Sequence, residues 1–212
     1  DALITLKLWD NLSKKITQQE CSSIFELEID LLPVLFEMKT KGVRVDVEKA
    51  HQTKKDLTKI EKSLVQEIVK ETGVTIEPWV ATSVAKVFDA VGLPYSRTEK
   101  AGAPMFTKQF LTNCSHPIAQ KIVKIREINK ANTTFVDTIL EHSHNGRIHC
   151  DFHSLRSDGG GTVTGRFSSS NPNLQQIPAR DPEIKKLIRG LFIPEEGHKW
   201  GSFDYASQEP RW

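Results

Sequence analysis

TVTGRFSSSNPNLQQIPAR, residues 162–180, is the stretch on which the reading of this chain turns. It is polar, broken by Gly165 and rich in amide and guanidinium donors, yet it carries Phe167, Leu174 and Ile177 together with Pro172 and Pro178. A loop lying free in solvent has no use for apolar anchors. A loop held rigid against a core does, because the anchors keep Arg166, Asn173 and Gln175 at set positions. Donors fixed in this way match the N3 and O2 acceptors that every base pair shows in the minor groove, so they read duplex shape and not sequence. A purely structural loop can have the same composition, and residue chemistry leaves both readings open.

On the N-terminal side the pattern is helical. Leu3, Leu6, Trp9 and Leu12 space a short helix over 2–12. Ser22-Ser23 offers N-caps to a second helix reaching about Lys39, in which Pro33 is expected to make a kink or a break. Gly42 stops it, and GVRVD is an extended link whose Asp46 caps the next helix. That helix, about 47–72, has Leu57, Ile60, Leu64 and Ile68 as its apolar stripe and Gly73 as its stop. Lys54, Lys55, Lys59 and Lys62 lie off the stripe, as a solvated face or as contacts to a phosphate backbone. Short helices follow at 82–91 and about 107–112, with SRTEKAGAP between them as a loop. His116-Pro117 opens a long helix to about 140 with Ile118, Ile122, Ile125 and Ile128 on one side. At NGRIHCDFHSL the period changes to two, the signature of a turn and a strand. A helix near 183–191 and a strand at 198–203 complete an α+β pattern, helical over 1–140 and mixed from 146 onward.

Composition narrows the class without deciding the partner. The 212 residues are 38% hydrophobic and 26% charged with a net charge of +2, ordinary for a globular chain. Three cysteines, Cys21, Cys114 and Cys150, form no CxxC pair, which argues against a zinc ribbon or a disulfide framework and fits a reducing compartment. No window approaches the ~18 uninterrupted apolar residues of a membrane span, and no signal peptide is visible. His142, His144, His149, Cys150 and His153 cluster in sequence, but in an alternating strand Cys150 faces away from His149 and His153, so they read as hairpin residues rather than zinc ligands.

The final stretch, GSFDYASQEPRW, places Asp204 at the end of the expected strand, followed by Glu209 and Arg211. Alone, these are strand-end acids beside a salt bridge, since a single Asp is a weak magnesium site.

Taken together, TGRFSSSNPNLQQIPAR and, some two dozen residues later, FDYASQEPR closely resemble the DNA polymerase I-like family, family A. That family carries T-G-R-x-S-S-x-x-P-N-L-Q-x-I-P-x-R ahead of D-Y-S-Q-x-E-L-R. GRIHCDFH is similar to its G-R-[VI]-H strand, FELEIDLLPVLFEMKTKGVRVD to its lead into the thumb, and DALITLKLW to the tail of its proofreading exonuclease. The resemblance implies an exonuclease-like tail over 1–20, a helical thumb over 21–145 and an incomplete start of the palm over 146–212. It implies that Asp204 is a catalytic, metal-binding aspartate bridging two Mg²⁺ ions, with the Tyr205 carbonyl as a neighbouring ligand. Glu209 would be the gate that excludes a ribose 2′-OH, and Arg180 and Arg211 would belong to the nucleotide pocket. Arg166, Asn173, Gln175 and Gln176 would contact duplex, as would Lys54, Lys55, Lys59 and Lys62 of the thumb helix. The implied partners are primer-template DNA and deoxynucleoside triphosphates, with no membrane, in the cytoplasm of a bacterial or phage-infected cell.

Some positions depart from the family pattern. Ala206-Ser207-Gln208 stands where Ser-Gln-Ile is common, Pro210 replaces Leu and Gln176 replaces Asn. The Glu-Pro-Arg variant resembles phage polymerases. The nucleotide-binding helix and second metal-binding aspartate would lie beyond residue 212, so the chain is expected to be partial, inactive alone and completed in cis or in trans. The alternatives are a non-catalytic duplex-binding module and one half of a split polymerase.

Overall fold

The computed structural model of the chain describes residues 1–155, 160–178 and 181–207. It divides into two compact units, one of Asp1–Val43 with Arg147–Gln176, the other of Arg44–Gly146 with Ile177–Trp212. Helices dominate and the strands are short and antiparallel, an α+β chain. No described helix is long and apolar enough to cross a membrane.

The first unit begins with α1 (Ala2–Gln18) and α2 (Ser22–Lys41). α1 runs six residues past its expected end at 12. Pro33 lies inside α2 without ending it. The proline removes one amide donor and leaves the Ile29 carbonyl without its helical partner, at a residue that is 50% exposed. The expected serine caps are absent: Cys21 is the N-cap, without a side-chain bond. The C-terminus is held more firmly. Gly42 turns at φ 64°, the Arg147 guanidinium donates to Lys41 O at 3.2 Å, and His149 Nδ1 donates to Lys39 O at 2.8 Å. Side chains distant in sequence thereby take up two end carbonyls that no helical amide can reach. A Cβ at Gly42 would meet the His149 ring at 2.6 Å, so the glycine is required for the approach as well as for the turn.

The second unit is built on α3 (Val47–Thr72), capped as the sequence predicts: the Asp46 carboxylate accepts from Lys49 N at 2.9 Å, and Gly73 is left-handed at φ 68°. Its stripe differs from expectation. Ile60 is 46% exposed, whereas Ala50, Thr53, Leu57 and Ile68 are buried. Steps of three and four from Leu57 to Leu64 pass through either 60 or 61; position 61 lies nearer the middle of the buried stripe, and Glu61 occupies it, accepting from Asn129 Nδ2 at 3.0 Å. The partner is the run formed by α6 (Pro117–Lys130), a π-helical segment (Ala131–Val136) and α7 (Asp137–His142). Ile118, Ile122, Ile125 and Ile128 are all buried, as the spacing predicts. The π segment is not visible in the periodicity; it turns Asn132 inward, where its Nδ2 donates to Thr58 Oγ1 at 3.1 Å.

α4 (Ala81–Ala90) and α5 (Lys108–Asn113) close the core over Ile68, Val84, Phe88 and Leu111. Phe88 packs against Phe106 with ring centroids 4.8 Å apart and planes tilted by 57°, and Tyr95 lies 5.2 Å from the Phe106 ring. The stretch 96–104, expected as a loop, carries a small ladder of Ser96–Arg97 against Pro104–Met105. Strand signals are weak there because only two residues on each side pair.

Two further short strands, Ser143–His144 and Arg147–Ile148, flank the predicted Asn145-Gly146 turn, whose φ values of 50° and 73° suit those residues. α8 (Pro182–Arg189) is capped by Asp181, which accepts from Ile184 N at 2.9 Å. The chain after it is held beside the start of α3: Asp46 N donates to Leu191 O at 2.8 Å, and Ile193 N donates to Arg44 O at 3.0 Å. The strand expected at 198–203 is not formed. No strand among the described residues pairs with it, and Phe203 is 98% exposed. Strand backbone needs a ladder to satisfy it, and local alternation does not supply one.

Candidate nucleic-acid interface

In the first unit Asp151–His153 pairs antiparallel with Ser168–Ser170, in register Asp151↔Ser170, Phe152↔Ser169, His153↔Ser168. Residues 162–176 of the anticipated loop are built around this ladder. Gly161 N donates to Ser168 Oγ at 2.9 Å, and Thr162 Oγ1 closes onto Arg166 O at 2.8 Å. Gly165, at φ 72°, makes the turn that presents the exposed Arg166.

Beyond the ladder, the buried Ser169 hydroxyl donates to Asn173 Oδ1 at 3.1 Å, which also accepts from Gln175 N at 3.0 Å. Asn173 therefore spends its oxygen inside the loop, leaving its Nδ2 group as the donor for a ligand. Gln175 behaves differently. Its Nε2 donates to Phe167 O at 3.0 Å, so its donor holds the loop together. Gln176 is exposed on the short 3₁₀ turn Leu174–Gln176. Of the expected anchors, Leu174 and Ile177 are half buried, while Phe167 is 41% exposed. Pro172, named with the anchors but not counted as one, is buried.

A carboxylate that sequence reasoning did not select lies under this loop. Asp151 pairs with Lys39 of α2 and accepts from Asn171 Nδ2 at 3.0 Å. The Lys39 ammonium, helped by the Asn171 amide, holds the Asp151 carboxyl below the usual carboxylate range. His153 Nε2 lies 2.8 Å from Ser170 Oγ. The alternation placed Asp151 and His153 on one face; their partners are visible only in three dimensions. Cys150, on the other face, is buried, and burial pushes its thiol up.

In the second unit, Lys54, Lys55, Lys59 and Lys62 all line one open groove of about 700 Å³ along α3. Lys54 pairs with Asp137 at 2.6 Å. Among the described residues no carboxylate lies within ion-pair distance of Lys55, Lys59 or Lys62. Three positive charges thus remain along one face of one helix.

Asp204 and Tyr205 sit exposed in the irregular segment that follows Gly197. Glu209, Arg180 and Arg211 lie outside the described residues. The Asp204 carboxylate and the Tyr205 carbonyl are the hard oxygen donors that Mg²⁺ takes. No three His, Cys, Asp or Glu side chains come together as a metal site among the described residues, however, so these residues do not by themselves fit two Mg²⁺ ions.

The sequence model of DNA polymerase family A matches residues 47–212. The chain belongs to DNA polymerase family A. The matched span includes the α3 lysines, the loop and Asp204. The family A chain is 34% identical over 221 residues to the DNA-directed DNA polymerase of Pseudomonas phage M6, covering 100% of this chain and 33% of that protein. It is 34% identical over 216 residues to the thermostable DNA polymerase I of Thermus filiformis, covering 99% of this chain and 25% of that one. Among solved structures it is similar to the POL domain of Pol1 from M. smegmatis, in complex with DNA primer-template and dNTP. That likeness has a TM-score of 0.74 and 26% identity over 92% of this chain and 34% of the other. The family A chain thus spans about a third of the phage relative's length.

Proposed function

We propose that this chain is the thumb and opening palm segment of a DNA-directed DNA polymerase that adds deoxynucleotides to a primer 3′ end. What carries the reading is the presence, in one family-matched span, of a rigid donor loop, a lysine face and the Asp-Tyr pair at 204–205. Residues 1–20 are the exonuclease-like tail, 21–145 the thumb and 146–212 the start of the palm. The Arg166 guanidinium and the Asn173 amide donate to minor-groove acceptors near the primer terminus, with Gln175 holding the loop in shape and Gln176 at its rim. Lys55, Lys59 and Lys62 contact phosphates, and Lys54 divides its charge between Asp137 and the backbone.

Asp204 and the Tyr205 carbonyl contribute ligands to a Mg²⁺ site completed by other residues of the same polymerase, in cis or in trans. A metal held there, with Asp204 and the Tyr205 carbonyl among its ligands, would supply Lewis-acid chemistry for phosphoryl transfer. Glu209 gates the sugar, and Arg180 and Arg211 face the triphosphate. The setting is the cytoplasm of a bacterial or phage-infected cell.

The test is primer extension by the complete polymerase carrying Asp204→Ala, with duplex affinity measured in parallel. Synthesis is expected to vanish while the dissociation constant for primer-template changes less than about twofold, since a metal ligand is not a duplex contact. A variant that extends primers normally would replace this reading with that of a duplex-binding module.

A further inference from the structure

Asp151 reaches α2 through Lys39 and the loop through Asn171. Its place is mechanically specific. Asn171 follows the last ladder residue and has a left-handed φ of 52°, which Asn tolerates better than most residues, though not without cost. The turn that redirects the chain from the ladder to Asn173 is therefore made at a residue whose side chain is tied to Asp151. Two residues on, Asn173 Oδ1 accepts from Ser169 and from Gln175 N, and Gln175 Nε2 reaches back to Phe167 O, beside Arg166. A chain of bonds therefore runs from the Asp151 carboxylate to the backbone carrying both exposed donors.

α2 is itself clamped by Arg147 and His149, in the chain just ahead of this strand, so Lys39 presents its ammonium from a held helix end. Only an ionised carboxylate serves both partners here, because Lys39 and Asn171 are both donors and Asp151 supplies an acceptor to each.

We infer that Asp151, anchored by Lys39, is a positioning residue that sets the loop through Asn171 so that Arg166 and Asn173 meet the minor-groove acceptors of a bound duplex. The inference rests on the minor-groove reading proposed above. Asp151 itself touches no DNA; it acts through Asn171.

The experiment uses the complete polymerase and a primer-template in which bases at the primer terminus are replaced by 3-deazaadenine and 3-deazaguanine, which lack the N3 acceptor. Wild-type protein is expected to bind the 3-deaza duplex about tenfold more weakly than the normal one, as loss of a charge-assisted bond predicts. Asp151→Ala and Asn171→Ala are expected to bind the normal duplex about as weakly as wild type binds the 3-deaza duplex, and to lose little more on the substitution. Asp151→Asn keeps the shape and lets a folded loop be tested without the ion pair; it should fall between. Circular dichroism checks that each variant is folded. If wild type is indifferent to the 3-deaza duplex, the minor-groove reading fails and this inference with it. If wild type is sensitive and all three folded variants are equally sensitive, the inference alone is overturned.

Discussion

Asp151 shows how much one side chain's surroundings can add to its identity. Lys39 and Asn171 favour its charged form, so its carboxyl is depressed in the folded chain. A depressed carboxyl contributes stability that is fully present above its unfolded value of about 4 and is lost as pH falls through the folded value. The melting temperature of wild type should therefore exceed that of Asp151→Asn at neutral pH, and the gap should close as pH drops below about 4. A gap that stays constant down to that range would mean that the carboxylate gains nothing from Lys39. Asp204 is a contrast at the same scale. It is exposed, and the role proposed for it rests on its motif.

At the scale of elements, α3 carries the clearest division of labour. One side packs through Ala50, Thr53, Leu57 and Ile68. The other holds the lysine groove, where Lys54 is drawn to Asp137 and Lys55, Lys59 and Lys62 are not. If those three neutralise phosphates, replacing them together with alanine should lower the slope of log affinity against log salt by about 3, since each phosphate contributes about 0.9. Exposed lysines away from buried contacts change stability by no more than about 0.5 kcal/mol each, so the fold should survive. Fluorescence anisotropy across a salt series checks this, and an unchanged slope would return the three lysines to the role of a solvated face.

At the scale of the whole molecule, the second unit contains an aromatic and aliphatic core around Phe88. Phe88 is fully buried and contacts Phe106, Tyr95 and Phe110, with ring centroids at 4.8, 6.3 and 6.3 Å. Phe88→Ala should cost about 3–5 kcal/mol, read from denaturant unfolding, because the cavity it leaves is walled by other rings. A loss below about 1 kcal/mol would mean that the site collapses and refills.

What the sequence by itself determined were the features set by neighbours along the chain. The caps at Asp46 and Gly73, the isoleucines of α6 and the turn at Asn145-Gly146 all depend on local backbone geometry. The motif around Asp204 and the loop at 162–180 were legible for a different reason, as side-chain chemistry written in order. Tertiary structure decided what depends on partners far away in sequence. Ile60 lies exposed while Glu61 beside it accepts from Asn129 of α6; Gln175 spent its donor on Phe167; and the stretch at 198–203 stayed irregular because no described strand pairs with it. The link from Asp151 to Lys39 spans more than a hundred residues of chain, and no periodicity or local propensity records which charges such a separation will bring together.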